Sequence, residues 1–264
     1  MARTGRATVA AAELNVTHGA VSRQVRALEE TLGFALFEGP KHQQRLTPRG
    51  RDLADGLGPA FDALEAAVRS VGDRRELRLA VHPSLAVKWL IPRLADFERH
   101  YPDTHLVIAD LPVGAMRLRG TDLSLRFASQ AQLGQAGVEV LALTRVGPVC
   151  SPQVADTFEG APRLAARTHP SGWADWAEAK GEPAPAEAPR LLAHVHFLVD
   201  AALSGLGVAI LPRLLVADDL AAGRLVAPFG FVPDGGALVV VRPTAASTRP
   251  EREIIAWLKA QANA

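Results

Sequence analysis

The sequence predicts an α/β protein with three parts: a small helical head, one long helix, and a larger domain of alternating strands and helices. Three observations support this prediction. Two short helices joined by a tight turn are predicted near the N-terminus, an apolar repeat with helical spacing follows, and strand-like and helix-like segments alternate from residue 77 onwards. No stretch approaches the roughly 18 apolar residues of a transmembrane helix, so no membrane span is predicted.

Residues 7–33 are predicted to form two helices and the turn between them. The segment from Ala7 to Leu14 is rich in alanine and predicts a short helix, and Asn15 predicts the turn. Thr17 is placed to cap the second helix, and Gly33 is placed to end it. The apolar positions of the second helix recur with helical spacing, at Val21, Val25, Leu28 and Leu32. A stripe of this kind predicts packing on a small core.

The outward face of the second predicted helix is polar and basic. Its members are His18, Ser22, Arg23 and Arg26, with Thr17 at the helix start. A short turn between two helices, with a polar face on the second, is typical of a helix-turn-helix whose second helix enters the DNA major groove. We therefore predict that these five residues contact DNA. The spacing alone also fits a helical hairpin with a solvated face.

A two-stranded hairpin is predicted directly after the second helix. Residues 34–37 and 45–47 fit short strands on either side of a polar loop, an arrangement that resembles a wing. Lys41, His42 and Arg45 would reach the phosphate backbone or the minor groove from this hairpin. Such contacts position a protein on DNA without reading its sequence.

Basic charge is concentrated in the same part of the chain. The 264 residues carry a net charge of only +1, yet residues 1–51 contain eight Lys or Arg against four Asp or Glu. Neutralisation of phosphates supplies most of the non-specific affinity of proteins for DNA. The distribution therefore favours a DNA-binding head on a mildly acidic larger domain.

A long amphipathic helix is predicted from Pro48, with Thr47 as its N-cap, to about Val71. Its apolar positions lie close to a heptad repeat, at Leu53, Leu57, Phe61, Leu64 and Val68. We predict that this stripe packs against the same helix of a second subunit, in a homodimer or a homotetramer. Packing on its own domain is the alternative.

The remainder of the chain predicts an α/β domain, because strands and helices alternate to the C-terminal end. Its first helix is expected to run from Ser84 to Tyr101. The single cysteine, Cys150, lies in an apolar run, which predicts a buried, reduced thiol. The N-terminus lacks the apolar segment of a secretory signal, so a cytoplasmic location is predicted.

Four stretches together resemble the LysR-type transcriptional regulators, in the branch that regulates glycine cleavage and β-lactamase genes. They are AAAELNVTHGAVSRQVRALEETLGFALF with RLTPRGRDL, HPSLAVKWLIPRLADFERHYPD, TDLSLRFAS, and ALSGLGVAILPRLLVADDLAAGRLVAPF. The resemblance implies a winged helix-turn-helix, a long linker helix that dimerises, and a two-lobed α/β effector domain similar to periplasmic binding proteins. It places these parts at residues 1–50, 51–75 and 76–264. Lobe one is expected at about residues 76–146 and 228–264, and lobe two at about 147–227.

The start of the chain departs from the family pattern. Members carry a further helix before the helix-turn-helix, and here only six residues precede it. The head core, which is expected around Val9, Leu14, Val21 and Val25, would then lack part of its cover. The expectation from the sequence is therefore a shortened N-terminus.

A small-molecule effector is expected between the two lobes. Ser84 is predicted to cap a helix whose free backbone N–H groups would attract a carboxylate or a similar anion, although a serine there is also an ordinary cap. The resemblance adds Leu85, Arg126, His194, His196 and Phe197 to the expected cleft. For Arg126 a structural ion pair is the alternative.

Catalysis has little support in the sequence. The motifs G-x-S-x-G, H-E-x-x-H and G-x-x-x-x-G-K are all absent. An α/β enzyme using Ser84 with His82 or His194 is one alternative, and a small-molecule binding protein with a non-functional head is another. His194 and His196 have no evident third ligand, so no metal is predicted, and no cofactor. The predicted partners are double-stranded DNA, an anionic effector and further copies of the chain, but not a membrane.

Overall fold

The computed structural model describes residues 7–40, 44–70, 75–181, 183, 187–243 and 247–263. The chain forms two compact units, Met1–Leu64 and Glu65–Ala264. We call them the head and the C-terminal domain and describe each by itself. No helix within the described ranges is both long enough and apolar enough to cross a membrane.

The head contains the predicted helix-turn-helix. Helix α1 (Ala7–Glu13) and helix α2 (His18–Leu32) are joined by a turn in which Asn15 has a φ of 51°. Thr17 caps α2, because its Oγ1 accepts a hydrogen bond from the N–H of Ala20 at 3.2 Å. Gly33 ends α2 in the left-handed conformation with a φ of 75°, which a glycine adopts without strain. These features confirm the predicted helix boundaries.

The core of the head differs from the prediction in its members. Ala10 and Ala11 of α1 pack against Val21 of α2, and their small side chains let the two helices approach closely. Val9 and Leu14, which were expected in the core, are exposed instead. Leu28 of the predicted α2 stripe is exposed as well, and the face of α1 that turns inward carries alanines rather than the larger residues.

The residues that flank the wing strands form hydrogen bonds with both neighbouring helices. It consists of strands β1 (Phe37–Glu38) and β2 (Arg45–Leu46), which pair antiparallel. Oε1 of Glu29 on α2 accepts hydrogen bonds from the N–H groups of Leu36 at 2.7 Å and Phe37 at 3.2 Å. Oγ1 of Thr47 accepts the N–H of Gly50 at 3.0 Å and so caps the next helix, as predicted.

Helix α3 (Pro48–Ser70) is the long helix that the apolar repeat predicted. Gly50 in its first turn lies against the carbonyl group of Leu36, and a Cβ atom there would overlap that group. Within the apolar stripe, Leu53 is half-buried, whereas Leu57, Phe61 and Leu64 are exposed. The side chain of Val68 lies outside the described residues.

The C-terminal domain is built on one continuous sheet with the strand order β4-β3-β5-β10-β6-β9-β7-β8. In chain order the strands are β3 (Arg75–Val81), β4 (Thr104–Asp110), β5 (Leu123–Ala128), β6 (Val138–Val149), β7 (Arg163–Ala166), β8 (Arg190–Leu192), β9 (Val208–Pro212) and β10 (Val232–Val241). Strand β6 pairs with β10 over most of its length and with β9 at its end. It therefore connects two groups of strands, one for each predicted lobe.

The helix predicted from Ser84 to Tyr101 is interrupted. The structure contains a short α4 (Pro83–Leu85), a π-helical turn (Ala86–Leu90), a 3₁₀ turn (Ile91–Arg93) and α5 (Leu94–His100). Pro92 explains the break, since it lacks an N–H and its ring collides with the carbonyl group four residues earlier. The prediction of one regular helix starting at Ser84 is therefore wrong.

Among the residues that the structure describes, five further α-helices belong to this domain: α6 (Pro152–Ala155), α7 (Gly172–Lys180), α8 (Val195–Leu203), α9 (Arg213–Ala221) and α10 (Arg249–Ala262). One apolar core surrounds Trp89 and Phe97, and another surrounds Leu198 and Val199. The first core also takes in Leu215 of α9, so it extends across both predicted lobes, whereas the second lies within predicted lobe two. Cys150 is a free, buried thiol, as predicted, and burial raises its pKa.

Candidate effector cavity and DNA-binding face

The predicted DNA contacts on α2 occupy one polar surface. Thr17, His18, Arg23 and Arg26 are exposed, and Ser22 is half-buried among them. The opposite side of the helix carries the buried Val21 and the half-buried Val25. The two arginines therefore extend away from the head core, as a helix that enters the major groove requires. We call these five residues the recognition face.

The wing contributes one further described residue to the predicted set. Arg45 is exposed on β2 opposite Glu38 of β1. Lys41 and His42, the other predicted wing contacts, lie outside the described residues. Glu29, which sequence reasoning missed, holds the wing to α2 through its two hydrogen bonds to backbone N–H groups. Glu29 is half-buried and lies one turn after Val25, and a glutamate within an amphipathic helix gives no local signal of such a contact.

A cavity of about 650 Å³ opens in the C-terminal domain between residues of both lobes. Lobe one contributes the end of β5, the loop after β4 and parts of β6 and β10. Lobe two contributes the ends of β7 and β9 and one side of α7. The size is within the usual range for small-molecule sites, which are commonly concave and lined by both domains or lobes.

Arg126 is a cationic residue of the cavity lining. Backbone carbonyl groups hold its guanidinium group in place. Its Nε donates to the carbonyl oxygen of Phe127 at 2.9 Å, and Nη1 donates to the carbonyl oxygen of Ala115. Within the described part of the chain no carboxylate lies at ion-pair distance from it. Burial lowers the pKa of Arg126, because its charge is partly removed from water. Arg126 therefore lies in the lining of the cavity, and its role in effector binding stays a prediction.

Two carboxylates line the same cavity. Oδ1 of Asp234 accepts hydrogen bonds from the hydroxyl group of Thr144 at 2.5 Å and the N–H of Gly236 at 3.1 Å. Asp175 on α7 accepts from the hydroxyl group of Ser171 at 2.9 Å and lies 3.2 Å from Nε2 of His169. Sequence reasoning missed both, since neither carboxylate is close in sequence to the predicted site.

Ser84 has a different role from the predicted helix cap. The residue at the cap position is His82, and Ser84 lies inside the short helix α4 with its side chain buried. Oγ of Ser84 accepts the N–H of His196 at 3.2 Å and lies 3.1 Å from Nδ1 of the same residue. Ser84 therefore connects lobe one to lobe two rather than presenting a free helix end to the cavity.

Three histidines surround this contact between the lobes. The rings of His194 and His196 stack at 5.3 Å, and Phe197 meets both rings edge-on. The pKa of His82 is lowered by burial and by the charges of Arg126, His194 and His196. The pKa of His196 is lowered by burial and by His194. No group of three metal-ligating side chains was found among the residues that the structure describes.

Two ion pairs add to the contact between the lobes. Lys88 in the π-helical turn pairs with Asp200 on α8 at 2.5 Å, and Arg93 in the 3₁₀ turn binds both carboxylate oxygens of Asp218 on α9. The interruption of the predicted helix places both basic residues opposite lobe two. Ser84, Lys88 and Arg93 thus contact lobe two from a single segment of lobe one, residues 84–93.

Of the six predicted effector residues, only one is part of the cavity lining. Arg126 lines the cavity, together with His82 and Val195 beside the predicted residues. The cavity lining does not include Ser84, Leu85, His194, His196 or Phe197. Leu85 belongs to the apolar core of lobe one, and the side chain of His196 is engaged by Ser84.

Comparison with known proteins gives a consistent result over the whole chain. A family model described as "Bacterial regulatory helix-turn-helix protein, lysR family" matches residues 1–51, and one described as "LysR substrate binding domain" matches residues 70–263. The HTH-type transcriptional regulator TrpI of Pseudomonas aeruginosa is 39% identical, over 98% of this chain and 93% of its own. The HTH-type transcriptional activator AmpR of Rhodobacter capsulatus is 33% identical, with the same coverage of 98% and 93%.

Solved structures show the same architecture. The effector binding domain of AmpR from Citrobacter freundii superposes with a TM-score of 0.60 at 25% identity, over 72% of this chain and 99% of that domain. ArgP from Mycobacterium tuberculosis gives a TM-score of 0.68 at 21% identity, over 98% of this chain and 92% of its own, and supports the fold alone. The relatives are transcriptional regulators, which excludes the enzyme alternative built on Ser84.

Proposed function

The chain belongs to the LysR family of bacterial transcriptional regulators, and from this premise we propose how it contacts DNA and where its effector binds. It is a DNA-binding regulator with an effector-binding domain. In the proposed mechanism the recognition face enters the major groove of a promoter. A small molecule in the cavity between the lobes changes the transcriptional outcome.

The exposed arginines of α2 support the proposed DNA contact. Arg23 and Arg26 lie on the solvent side of a helix that is capped, terminated and packed by its own residues. Arginine makes the commonest specific contact in the major groove, with guanine. Arg45 on the wing would bind the phosphate backbone and position the helix. Thr17, His18 and Ser22 complete the proposed face.

The observation that carries the proposed effector site is Arg126, a half-buried cation in a two-lobed cavity without a carboxylate partner among the described residues. Isolated charges are costly to bury, so a natural structure normally supplies a counter-charge. Here the cavity leaves room for a ligand to supply it. The remaining predicted effector residues would act indirectly, through the contact between the lobes.

The exposed stripe of α3 supports self-association. Leu57, Phe61 and Leu64 expose large apolar side chains on one face of a long helix, and such faces are stabilised when they pack against a partner. We assign this face to contact with the same helix of a second subunit. Because the proposed DNA partner is a bacterial promoter, the protein would act in the cytoplasm.

A gel-shift titration with the DNA upstream of the gene tests the proposal. The full-length protein should shift this DNA in the presence of excess unrelated competitor DNA and leave a shuffled fragment of equal length unbound. Equal binding to both fragments, or no binding to either, would contradict the role as a promoter-specific regulator. No binding to either fragment would favour the alternative of a small-molecule binding protein with a non-functional head.

A further inference from the structure

We propose that the effector is a monoanion with an apolar body, whose single carboxylate group binds Arg126. This inference rests on the proposed function, because it concerns the ligand of the same cavity. It goes further by specifying the charge, the charged group and the rest of the ligand.

The guanidinium group of Arg126 is oriented and still has hydrogen-bonding capacity. Arginine has five N–H donors, and two of its nitrogens here are fixed by the carbonyl oxygens of Phe127 and Ala115. The other donors can bind a planar carboxylate through two parallel hydrogen bonds. Because the group is half-buried, such bonds are stronger than they would be in water.

The other charged groups of the cavity limit the ligand to one negative charge. Asp234 and Asp175 line the same space, and Asp175 lies 3.2 Å from Nε2 of His169, which is also part of the lining. A doubly charged phosphate would be repelled by these carboxylates, above all by Asp234, which has no histidine beside it among its described hydrogen-bond partners. His82 adds no compensating positive charge near neutral pH, because burial and the neighbouring cation lower its pKa. One carboxylate can pair with Arg126, whereas a second charge on the ligand would meet no further arginine or lysine of this lining.

The remaining lining fits an apolar body. Much of it is contributed by large apolar side chains, namely Leu111, Val113, Phe127, Val146 and Ile210. A polar ligand group placed against these side chains would lose its water without gaining a hydrogen bond, whereas an apolar group would not. The cavity of about 650 Å³ is larger than a simple organic acid requires, which leaves room for a ring system.

Four probes that share one aromatic body test the charge requirement on the full-length protein. They are 3-phenylpropanoate, its neutral amide, 3-phenylpropylamine and 2-phenylethyl phosphate, measured by calorimetry at pH 7.5 or above, where the phosphate is dianionic. The carboxylate should bind, and the amide and the amine should bind at least about tenfold more weakly, as expected for the loss of a charge-assisted pair. The phosphate should bind more weakly than the carboxylate.

Variants separate a binding role of Arg126 from a structural one. Arg126→Gln should lose the preference for carboxylate over amide, and Arg126→Lys should retain only part of it. The control is Arg145→Gln, since Arg145 also donates to a backbone carbonyl, that of Phe231 at 2.6 Å, but does not line the cavity. Asp234→Asn keeps the oxygen that accepts from Thr144 and Gly236, so it should strengthen binding of the carboxylate by severalfold.

The proposal is overturned if the amide binds as well as the carboxylate, if the phosphate binds more tightly, or if no anionic probe binds. Equal losses in Arg126→Gln and Arg145→Gln would also overturn it. The gel shift with upstream DNA, made on the same preparations, separates this failure from failure of the proposed function. A protein that binds its promoter but shows no preference for carboxylate refutes only the inference about the ligand.

Discussion

Ser84 and His196 lie 112 positions apart in the chain and share two contacts: the serine oxygen accepts the backbone N–H of His196 at 3.2 Å and lies 3.1 Å from its Nδ1. The two residues belong to different lobes of the effector domain. The side chain of Ser84 is buried, so bulk water cannot replace the hydrogen bond when the serine oxygen is removed.

Ser84→Ala should therefore destabilise the effector domain by about 1–3 kcal/mol, because it leaves a backbone N–H of α8 without its acceptor. Thermal or urea unfolding of the full-length protein measures the change. Ser204→Ala is the matched control, since Ser204 also lies at α8 but is exposed and bonds only within its own helix end. Equal stability of the Ser84→Ala and Ser204→Ala variants would show that the contact between the lobes contributes nothing.

The effector domain should lose stability in mild acid. The pKa values of His82 and His196 are lowered in the folded protein, so the unfolded chain binds protons more readily as the pH falls below about 6.5. The stability is fully present above that pH and declines as the pH approaches the lowered values. Urea unfolding between pH 8 and pH 5 follows the decline, and the double variant His82→Gln, His196→Gln should flatten it. An equally steep decline in the variant would assign the effect to other groups.

Arg23→Ala should weaken promoter binding by about 1–3 kcal/mol and relax the preference for one base pair, as expected for a direct base contact. Arg45→Ala should weaken binding to all sequences alike and lower the salt dependence, as expected for a phosphate contact. Titrations at several salt concentrations, with single base substitutions in the site, distinguish the two patterns. Arg190→Ala removes an exposed arginine of the effector domain and serves as the control. If Arg23→Ala behaves like this control, α2 does not read bases through Arg23.

Glu29→Ala should release the wing from α2 while leaving α2 itself folded. It removes an acceptor shared by two backbone N–H groups, and hydrogen bonds to a charged group contribute about 1.5–3 kcal/mol each. Amide hydrogen exchange should show faster exchange at Leu36 and Phe37, with little change within α2. Glu30→Ala, at the exposed neighbouring position, is the control. Unchanged protection at Leu36 and Phe37 would mean that the strand pairing alone holds the wing.

Leu64→Lys should reduce the oligomer to monomers, because a charge on the exposed apolar stripe of α3 must be desolvated when two helices pack. Sedimentation velocity of the full-length protein measures the change. Asp52→Lys, which also places a lysine on α3 but outside the stripe, should leave the oligomer intact. If both variants sediment like the wild type, the subunits associate through another surface.

Local features of the fold could be predicted from the sequence because they depend on neighbouring residues. Thr17 and Gly33 bound α2 as expected, and the repeat of Leu53, Leu57 and Phe61 predicts a single long α3. The π-helical turn at Ala86–Leu90 was missed even though Pro92 is visible in the sequence. A proline predicts that a helix is disturbed, but the way the backbone accommodates it depends on packing.

The candidate site was harder to predict because its residues meet through distant parts of the chain. Arg126 was predicted because the family resemblance places the end of its strand at the cleft. Asp175 and Asp234 reach the same cavity from α7 and from the start of β10, and no local pattern connects them. Ser84 was predicted as a helix cap facing the effector, whereas its side chain contacts His196, which belongs to the other lobe and is 112 positions away in the chain.

In the proposed mechanism two separate parts of the chain have two separate roles: α2 binds DNA and Arg126 binds the effector. The decisive measurement is made in cells that carry wild-type protein, Arg23→Ala or Arg126→Gln, with promoter occupancy and transcript level of the adjacent gene recorded together. Arg23→Ala should lose occupancy and regulation. Arg126→Gln should keep its occupancy, within about twofold, and no longer change transcription between growth conditions that alter it in the wild type. A normal transcriptional response in Arg126→Gln cells would contradict the central claim that a ligand held by Arg126 controls this regulator.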